Sequence, residues 1–480
     1  MTATQIKPKK RSLDLTEGPI LIKMIKFVLP LMATNFLQTF YNAADMRVVS
    51  LSSEANAVGA IGATGSLTNL LINIYTGFAA GTTILVARYL GARDHERVKK
   101  TVHTSVMMSV IFGLLTTLIG LFASRSLLTL MGADGDILDL ATTYTTIYFC
   151  GSPFLAATNY LSAIFRAKGD TKTPLKVLSL SGIINVVLNL IFVLVLNLSV
   201  EGVALATAIA NIVSATRLLI LLSKDDSPCR FSFNKCKIDG RSFAGIVREG
   251  LPAAIQSSLF SFSSIIIQSS IFRVNTAVVG VGSEYAPVVN GTSATANLDH
   301  FTNTAVNSVF QASITFTSQN YGAKKYKRIW RIMITSVLLA ITIAVIFGGF
   351  VIIFRGPLLS LYGIQNGVEG SMENLAYRAA LTRMTYMSTT YLLLGFMNTS
   401  MGVMRGLGKT ITSTILSLIG ACVLRITWVT LVFELFSSVD PYTQLALVYL
   451  AFPATWLITG LAQLSCSIFV LKKRIRNAEA

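Results

Sequence analysis

Twelve mostly apolar stretches recur along the chain, at roughly 27–51, 57–86, 102–124, 139–163, 174–197, 201–222, 246–271, 283–316, 332–354, 379–403, 411–435 and 446–470. Each is long enough to cross a bilayer as a helix. Their polar residues are not scattered. In the first stretch Thr34, Gln38, Tyr41 and Asp45 fall at i, i+4, i+7 and i+11, one helical face. In the fifth, Ser181, Asn185 and Asn189 fall at i, i+4 and i+8, and in the seventh Ser257, Ser261, Ser264 and Gln268 repeat the first pattern without a carboxylate. The eighth carries Asn290, Asn297, Asp299, His300, Asn303, Asn307 and Gln311, and counts as a span because its end repeats the end of the second. The pattern predicts an all-α membrane protein of twelve transmembrane helices.

Asp45 stands out within this pattern. An ionisable side chain inside a spanning segment is costly unless it faces a polar cavity, so its default reading is a functional site. Arg425, in the eleventh segment, raises the same question; an ion pair or the capping of a carbonyl would give it a structural role. Pro30 lies inside the first segment, where the missing N–H makes a bend or gate feasible.

Only 13% of the 480 residues are charged and 52% are hydrophobic, with mean hydropathy +0.63. A soluble chain of this length carries about a quarter charged residues. The net charge of +18 would suggest nucleic acid, but its distribution argues otherwise. With the N-terminus inside, the terminal segments and even-numbered connections hold 33 of the 40 Lys and Arg. The opposite side has Asp134, Asp136, Asp139, Glu369 and Glu373 but few cations. This is the positive-inside pattern, which predicts a cell-membrane protein with both termini cytoplasmic and no nucleic-acid partner. The first nineteen residues are polar and basic without a cleavable apolar region, so the first stretch is expected to stay as a membrane helix. The five cysteines show no metal spacing, and neither a metal centre nor a cofactor is expected. His95 and His103 sit in or beside a basic connection and read as solvated.

The chain also repeats itself. Ala-Arg-Tyr-Leu-Gly-Ala-Arg-Asp-His-Glu-Arg around Gly91 matches Ser-Gln-Asn-Tyr-Gly-Ala-Lys-Lys-Tyr-Lys-Arg around Gly322; Phe-Arg-Ala-Lys-Gly-Asp-Thr-Lys-Thr from Phe165 matches Met-Arg-Gly-Leu-Gly-Lys-Thr from Met404; and Leu29-Pro30 matches Leu251-Pro252. The offsets of 231, 239 and 222 residues keep one order along the chain. Six spans per half make the repeat parallel, with a cavity between two bundles that suits alternating access. The expected division is a tail at 1–19, a first lobe at 20–228 (spans 1–6), a cytoplasmic linker at 229–245, a second lobe at 246–471 (spans 7–12) and a tail at 472–480. The cations of the repeated connections, Arg166 and Arg405 among them, are expected at the cytoplasmic interface near lipid phosphates.

Leu15-Thr-Glu-Gly-Pro-Ile-Leu, Leu29-Pro-Leu-Met, Tyr41-Asn-Ala-Ala-Asp45, Val58-Gly-Ala-Ile-Gly-Ala-Thr-Gly-Ser and Gly202-Val-Ala-Leu-Ala-Thr207 follow one another in the first half. Gly250-Leu-Pro-Ala-Ala-Ile-Gln-Ser-Ser-Leu-Phe-Ser and Thr315-Phe-Thr-Ser-Gln-Asn-Tyr-Gly-Ala continue in the second. In these motifs the chain resembles the multidrug and toxic compound extrusion (MATE) transporters over about residues 15–473, particularly the bacterial branch related to the DNA-damage-inducible F proteins. The resemblance implies a two-lobe, twelve-helix exporter that exchanges organic cations for inward H⁺ or Na⁺. It also implies an ion-coupling site at Asp45, Asn185 and Thr207. Where the family pattern has a second aspartate, this chain has Asn189.

A lone carboxylate among amides and a hydroxyl suits a proton carrier, and oxygen ligands also suit Na⁺. Losing the second carboxylate weakens metal binding more than protonation, which favours H⁺. Gln38, Tyr41, Asn42, Gln256, Ser264, Asp299 and Asn303 are expected to line the cargo cavity, with Asp299 and Asn303 drawing a cationic substrate. Met32, Phe36, Phe260 and Phe262 offer apolar surface for it. Small organic cations and the bilayer are the expected partners of a monomer. A flippase or exporter of lipid-linked or organic anions is the alternative, which Arg425, within the eleventh segment, and Arg47, near the outer end of the first where it can snorkel to the surface, keep open. A major-facilitator carrier fits the repeats less well, and three dispersed histidines without a nucleophile motif leave little for an enzyme.

Overall fold

A computed structural model of the protein describes residues 13–479 apart from Ser53, Ala55, Gly282, Glu284 and Ser437; the side chains of Lys235 and Phe262 are also outside the description. The basic tail positions Lys7, Lys9, Lys10 and Arg11 lie outside the described residues. The chain is an all-α membrane protein, with no strand among the described residues. The helices are α1 (Ile20–Val49), α2 (Ala57–Gly91), α3 (His95–Leu130), α4 (Gly135–Cys150), α5 (Ser152–Ala167), α6 (Lys172–Leu190), α7 (Val200–Ser223) and α8 (Gly240–Val279). They continue with α9 (Pro287–Gly322), α10 (Tyr326–Ile353), α11 (Arg355–Ser360), α12 (Met372–Tyr386), α13 (Tyr391–Gly406), α14 (Thr410–Ser417), α15 (Leu424–Leu435) and α16 (Pro441–Glu479). Among the described residues nine helices are long and apolar enough to cross a membrane.

Three expected spans are helical but fall outside that group of nine. The fourth is two helices, α4 and α5, broken at Gly151, and the tenth is α12 and α13, broken across 387–390. The eighth is one continuous helix, α9, whose many amides lower its hydropathy. Most helices also overrun the apolar stretches that announce them: α1 begins at Ile20, just after Pro19, and α8 extends from Gly240 to Val279. Hydropathy marks only the part that resides in hydrocarbon, whereas the backbone hydrogen-bond ladder continues into the polar interface.

The chain forms two compact units. One holds the residues up to Thr68 with Thr82–Ile246 and Gln319–Lys325; the other holds Asn69–Gly81, Val247–Ser318 and the residues from Tyr326 onward. In the first, α1 packs on α6, α6 on α7, and α3 on both α4 and α5. Its core includes Val86, Val98, Leu161, Phe165 and Leu218. In the second, α16 packs on α12, α13 and α15 around Met397, Tyr449 and Trp456.

The sequence repeat is matched in backbone conformation. Arg93 and Lys324, equivalent positions of the first motif, both take φ 57°, and Gly169 and Gly408 of the second take φ 85° and 74°. A π-helical turn closes the fifth span at Ile191–Val195, and another interrupts the eleventh at Leu418–Val423. The motif glycines have a packing reason. A Cβ on Gly91 would lie 1.8 Å from the Gln319 carbonyl oxygen, and one on Gly322 would lie 1.9 Å from that of Arg88. The ends of α2 and α9 therefore approach backbone to backbone, reciprocally. Gly322→Ala is expected to force these helix ends apart and lower the thermal unfolding midpoint of the detergent-purified protein. An unchanged midpoint would show that the contact is dispensable.

The segment at 229–245, expected to join the lobes, makes specific contacts with α3. Cys229 and Phe231 are buried, and the Phe231 ring stacks on His103 at 5.0 Å. His103, expected in solvent, is buried: its Nε2 accepts from the Ser232 amide at 3.0 Å, and its Nδ1 lies 2.7 Å from the Lys99 carbonyl oxygen. The Asp239 amide donates to Thr104 Oγ1 at 3.0 Å, and the Asp239 carboxylate accepts from the Ser242 amide and hydroxyl, both at 2.8 Å. Those donors at the start of α8 hold the Asp239 carboxyl below its ordinary range. This segment is thus anchored along α3 through Ser232 and Asp239.

Candidate functional site

Each unit has its own polar focus. In the first it is built on α1, α6 and α7. Asn189 Nδ2 donates to Asp45 Oδ1 at 2.5 Å and to Asn185 Oδ1 at 3.4 Å, and Asn185 Nδ2 donates to Thr207 Oγ1 at 3.3 Å. Asp45, Asn189, Asn185 and Thr207 therefore form one continuous chain. The i, i+4 spacing on α6 places both amides on the face that meets α1. Asn189 is fully buried, and its Oδ1 has no hydrogen-bond partner among the described residues. Tyr144 of α4, which sequence reasoning did not select, lies within electrostatic reach of Asp45.

The α1–α6 contact is close because of Gly182, where a Cβ would sit 1.8 Å from the Tyr41 ring. Tyr41 Oη donates to the Ser179 carbonyl at 3.1 Å, and Ser214 joins α7 to α6 by a 2.6 Å bond to Ser181 Oγ. The α-helix runs unbroken through Pro30. Here the Phe27 carbonyl accepts from Thr171 Oγ1 at 3.0 Å, and the Pro30 carbonyl accepts from Thr34 Oγ1 at 2.8 Å. Pro30 leaves the Lys26 carbonyl without its i+4 amide, and these hydroxyls add bonds to carbonyls beside that gap. Gln38 and Asn42 are exposed on α1.

In the second unit, Gln256, Ser264, Asp299 and Asn303 line one cavity of about 530 Å³, together with residues from α8, α9, α12, α13, α15 and α16. Asp299 is not available to a cargo cation as a bare charge. Its Oδ2 pairs with Arg383 Nε at 3.1 Å and its Oδ1 accepts from Ser388 Oγ at 2.8 Å; only 2% of the residue is exposed. Arg383 Nη1 donates to Tyr449 Oη at 3.4 Å. The Arg383–Ser388–Tyr449 set was missed in the sequence, although Arg383 carried the signal that singled out Asp45, a charge inside an apolar segment.

Two further guanidinium groups reach this cavity. Arg405, expected near lipid phosphates, is instead buried: its Nη2 donates to Gln256 Oε1 at 2.8 Å, and its guanidinium lies over Phe310, 5.5 Å from the ring centroid. Gln256 completes its contacts through Nε2 to Met401 Sδ at 3.1 Å. Arg425 forms no ion pair among the described residues. Its Nε and Nη2 donate to Thr455 Oγ1 at 3.4 and 3.0 Å, over the Phe452 ring at 4.1 Å. The cavity thus presents three arginines and one aspartate, amid aromatic and methionine surface. Arg47, by contrast, is exposed near the end of α1 and donates to Ser50 Oγ at 3.5 Å.

Comparison with known proteins gives a consistent family. The chain is 26% identical to the probable multidrug resistance protein YoeA of Bacillus subtilis (strain 168) over 463 residues, 94% of either chain. It is 25% identical to the multidrug export protein MepA of Staphylococcus aureus (strain NCTC 8325 / PS 47) over 251 residues, 52% of this chain and 56% of that one. Among solved structures, an outward-facing multidrug resistance MATE family transporter of the MOP superfamily superposes with TM-score 0.85 at 20% identity, over 96% of this chain and 98% of that one. A MOP superfamily transporter from Pyrococcus furiosus Vc1 (DSM3638), described as having a binding pocket of reversed polarity, matches with the same score, identity and coverage. At that identity the structures speak for the fold. The MatE family model matches residues 30–191 and 252–431, covering most of both halves. The chain therefore belongs to the MatE family of membrane transporters.

Proposed function

We propose that the protein exports amphipathic organic cations and drugs by alternating access, driven by an inward ion, with H⁺ favoured over Na⁺. The names of the relatives support drug export as the general activity. The lobes 20–228 and 246–471, joined by the 229–245 linker, act as the two halves of a monomer whose termini face the cytoplasm. The observation that carries the coupling reading is the chain from Asp45 to Thr207. Amide donors already engage Asp45 Oδ1, Asn185 Oδ1 and Thr207 Oγ1, and Asn189 Oδ1 is the buried acceptor without a partner. A proton on Asp45 turns the carboxylate into a donor that such an oxygen can accept. A hard cation would need several oxygens at once, and most here are committed. In the cavity of the second unit, where Arg383 neutralises Asp299, cation recognition falls to aromatic faces such as Phe260 and Trp456.

The test is transport in proteoliposomes with ethidium as the cargo, under an imposed pH gradient or an imposed Na⁺ gradient. Ethidium movement is expected to follow the pH gradient and to be indifferent to Na⁺. Movement driven by the Na⁺ gradient alone would overturn the choice of ion.

A further inference from the structure

Arg425 is held differently from the other two arginines of the second-unit cavity. Arg383 has the Asp299 carboxylate, and Arg405 has the Gln256 carbonyl oxygen with Glu249 in electrostatic reach. Arg425 has one neutral hydroxyl. Thr455 Oγ1 donates its own proton to the Phe452 carbonyl at 3.0 Å, so it turns lone pairs toward Nε and Nη2. Nη1 has no hydrogen-bond partner among the described residues. A guanidinium remains charged under all ordinary conditions, and a charge removed from bulk water calls for a counter-charge. Beside it Phe452 and Trp456 meet edge to face at 5.7 Å, and Tyr391 lies 5.7 Å from Trp456. The π-helical turn at Leu418–Val423, which immediately precedes α15, shifts the register that brings Arg425 to this wall.

We propose that this cavity contains an anion subsite at Arg425, which takes the carboxylate, sulfonate or phosphate group of an amphipathic aromatic molecule. The guanidinium fork suits a bidentate oxyanion, and the adjacent rings take the apolar body. The volume of about 530 Å³ accommodates a drug-sized ligand. Cargo then includes organic anions and the anionic end of zwitterions as well as cations. The meaning of the subsite for transport rests on the export reading above, but binding to it does not require ion coupling.

The test uses the full-length protein in phosphatidylcholine nanodiscs, with naphthalene-2-sulfonate and its neutral sulfonamide as probes in equilibrium binding. Arg425→Gln is expected to weaken sulfonate binding about 10- to 100-fold, the range for a lost charge-assisted contact, while sulfonamide binding is unchanged. Arg425→Lys, which keeps the charge without the fork, falls between. Unchanged sulfonate affinity in Arg425→Gln, or an equal loss of both probes, would overturn the subsite. Phosphatidylglycerol added to the disc separates two sources of the anion. Competition with the sulfonate in wild type identifies a lipid headgroup, and indifference identifies a free organic anion; both uphold the site. Asp45→Asn is expected to keep wild-type sulfonate affinity, so a failure of the coupling reading and a failure of the subsite are distinguishable.

Discussion

Asp45→Asn is expected to reduce pH-driven ethidium efflux to the passive leak of the liposomes while leaving insertion and folding intact. The substitution is nearly isosteric, and its amide oxygen can still accept from Asn189 Nδ2 as Asp45 Oδ1 does. The chain through Asn185 to Thr207 should therefore survive. What is lost is the ability to exist in two charge states. No other carboxylate belongs to that chain, because position 189 is an amide. Under the proposed coupling, proton binding would remove a negative charge from beside Asn189 and supply a donor where there was an acceptor. A shift of that size biases the packing of α1 against α6, through the contact that Gly182 and Tyr41 make close. With a permanently neutral side chain the two states cannot be exchanged by pH. Undiminished coupled efflux in the variant would remove Asp45 from the mechanism.

Arg383→Leu is expected to destabilise the second unit by about 3–5 kcal/mol, the cost of leaving a buried charge without its partner. Asp299 would keep only the Ser388 hydroxyl, and Tyr449 would lose the donor to its Oη. Asp299→Asn combined with Arg383→Leu removes both charges and should recover much of the loss, because the penalty lies in the unpaired carboxylate rather than in the absence of the pair. Thermal unfolding in detergent of the wild type, both single variants and the double variant closes the cycle. If Arg383→Leu alone unfolds with the wild type, the pair is not structural, and Asp299 is free to meet cargo after all.

The first site was largely legible in the sequence. Helical spacing alone places Asn185 and Asn189 on one face, and a charge inside an apolar run selects Asp45, since hydrocarbon penalises a carboxylate whatever it touches. Thr207 was selected only by the resemblance. In the cavity of the second unit the pairing of Asp299 was not legible, because Asp299 and Arg383 are 84 residues apart and no local pattern pairs them. The same limit hid Arg405, which a loop motif assigned to the interface and packing placed against Gln256 and Phe310. His103 is a smaller case: its basic neighbours suggested solvent, but the linker folds back to cover it.

The sequence by itself determined that the chain is a helical membrane protein built on an internal repeat. Apolar length, the positive-inside bias and collinear motifs are local or additive properties, and each can be summed along a chain without knowing which residues meet. It also determined where glycine was needed at the ends of α2 and α9, though the backbone contacts that require it appear only in three dimensions. Tertiary structure alone decided which charges are neutralised. Pairing depends on distances of a few ångströms between residues far apart in the chain, and in a low-dielectric interior those distances determine whether Asp299 attracts a cation or is spent on Arg383. By the same rule Arg425 was left with a hydroxyl, and so with room for an anion.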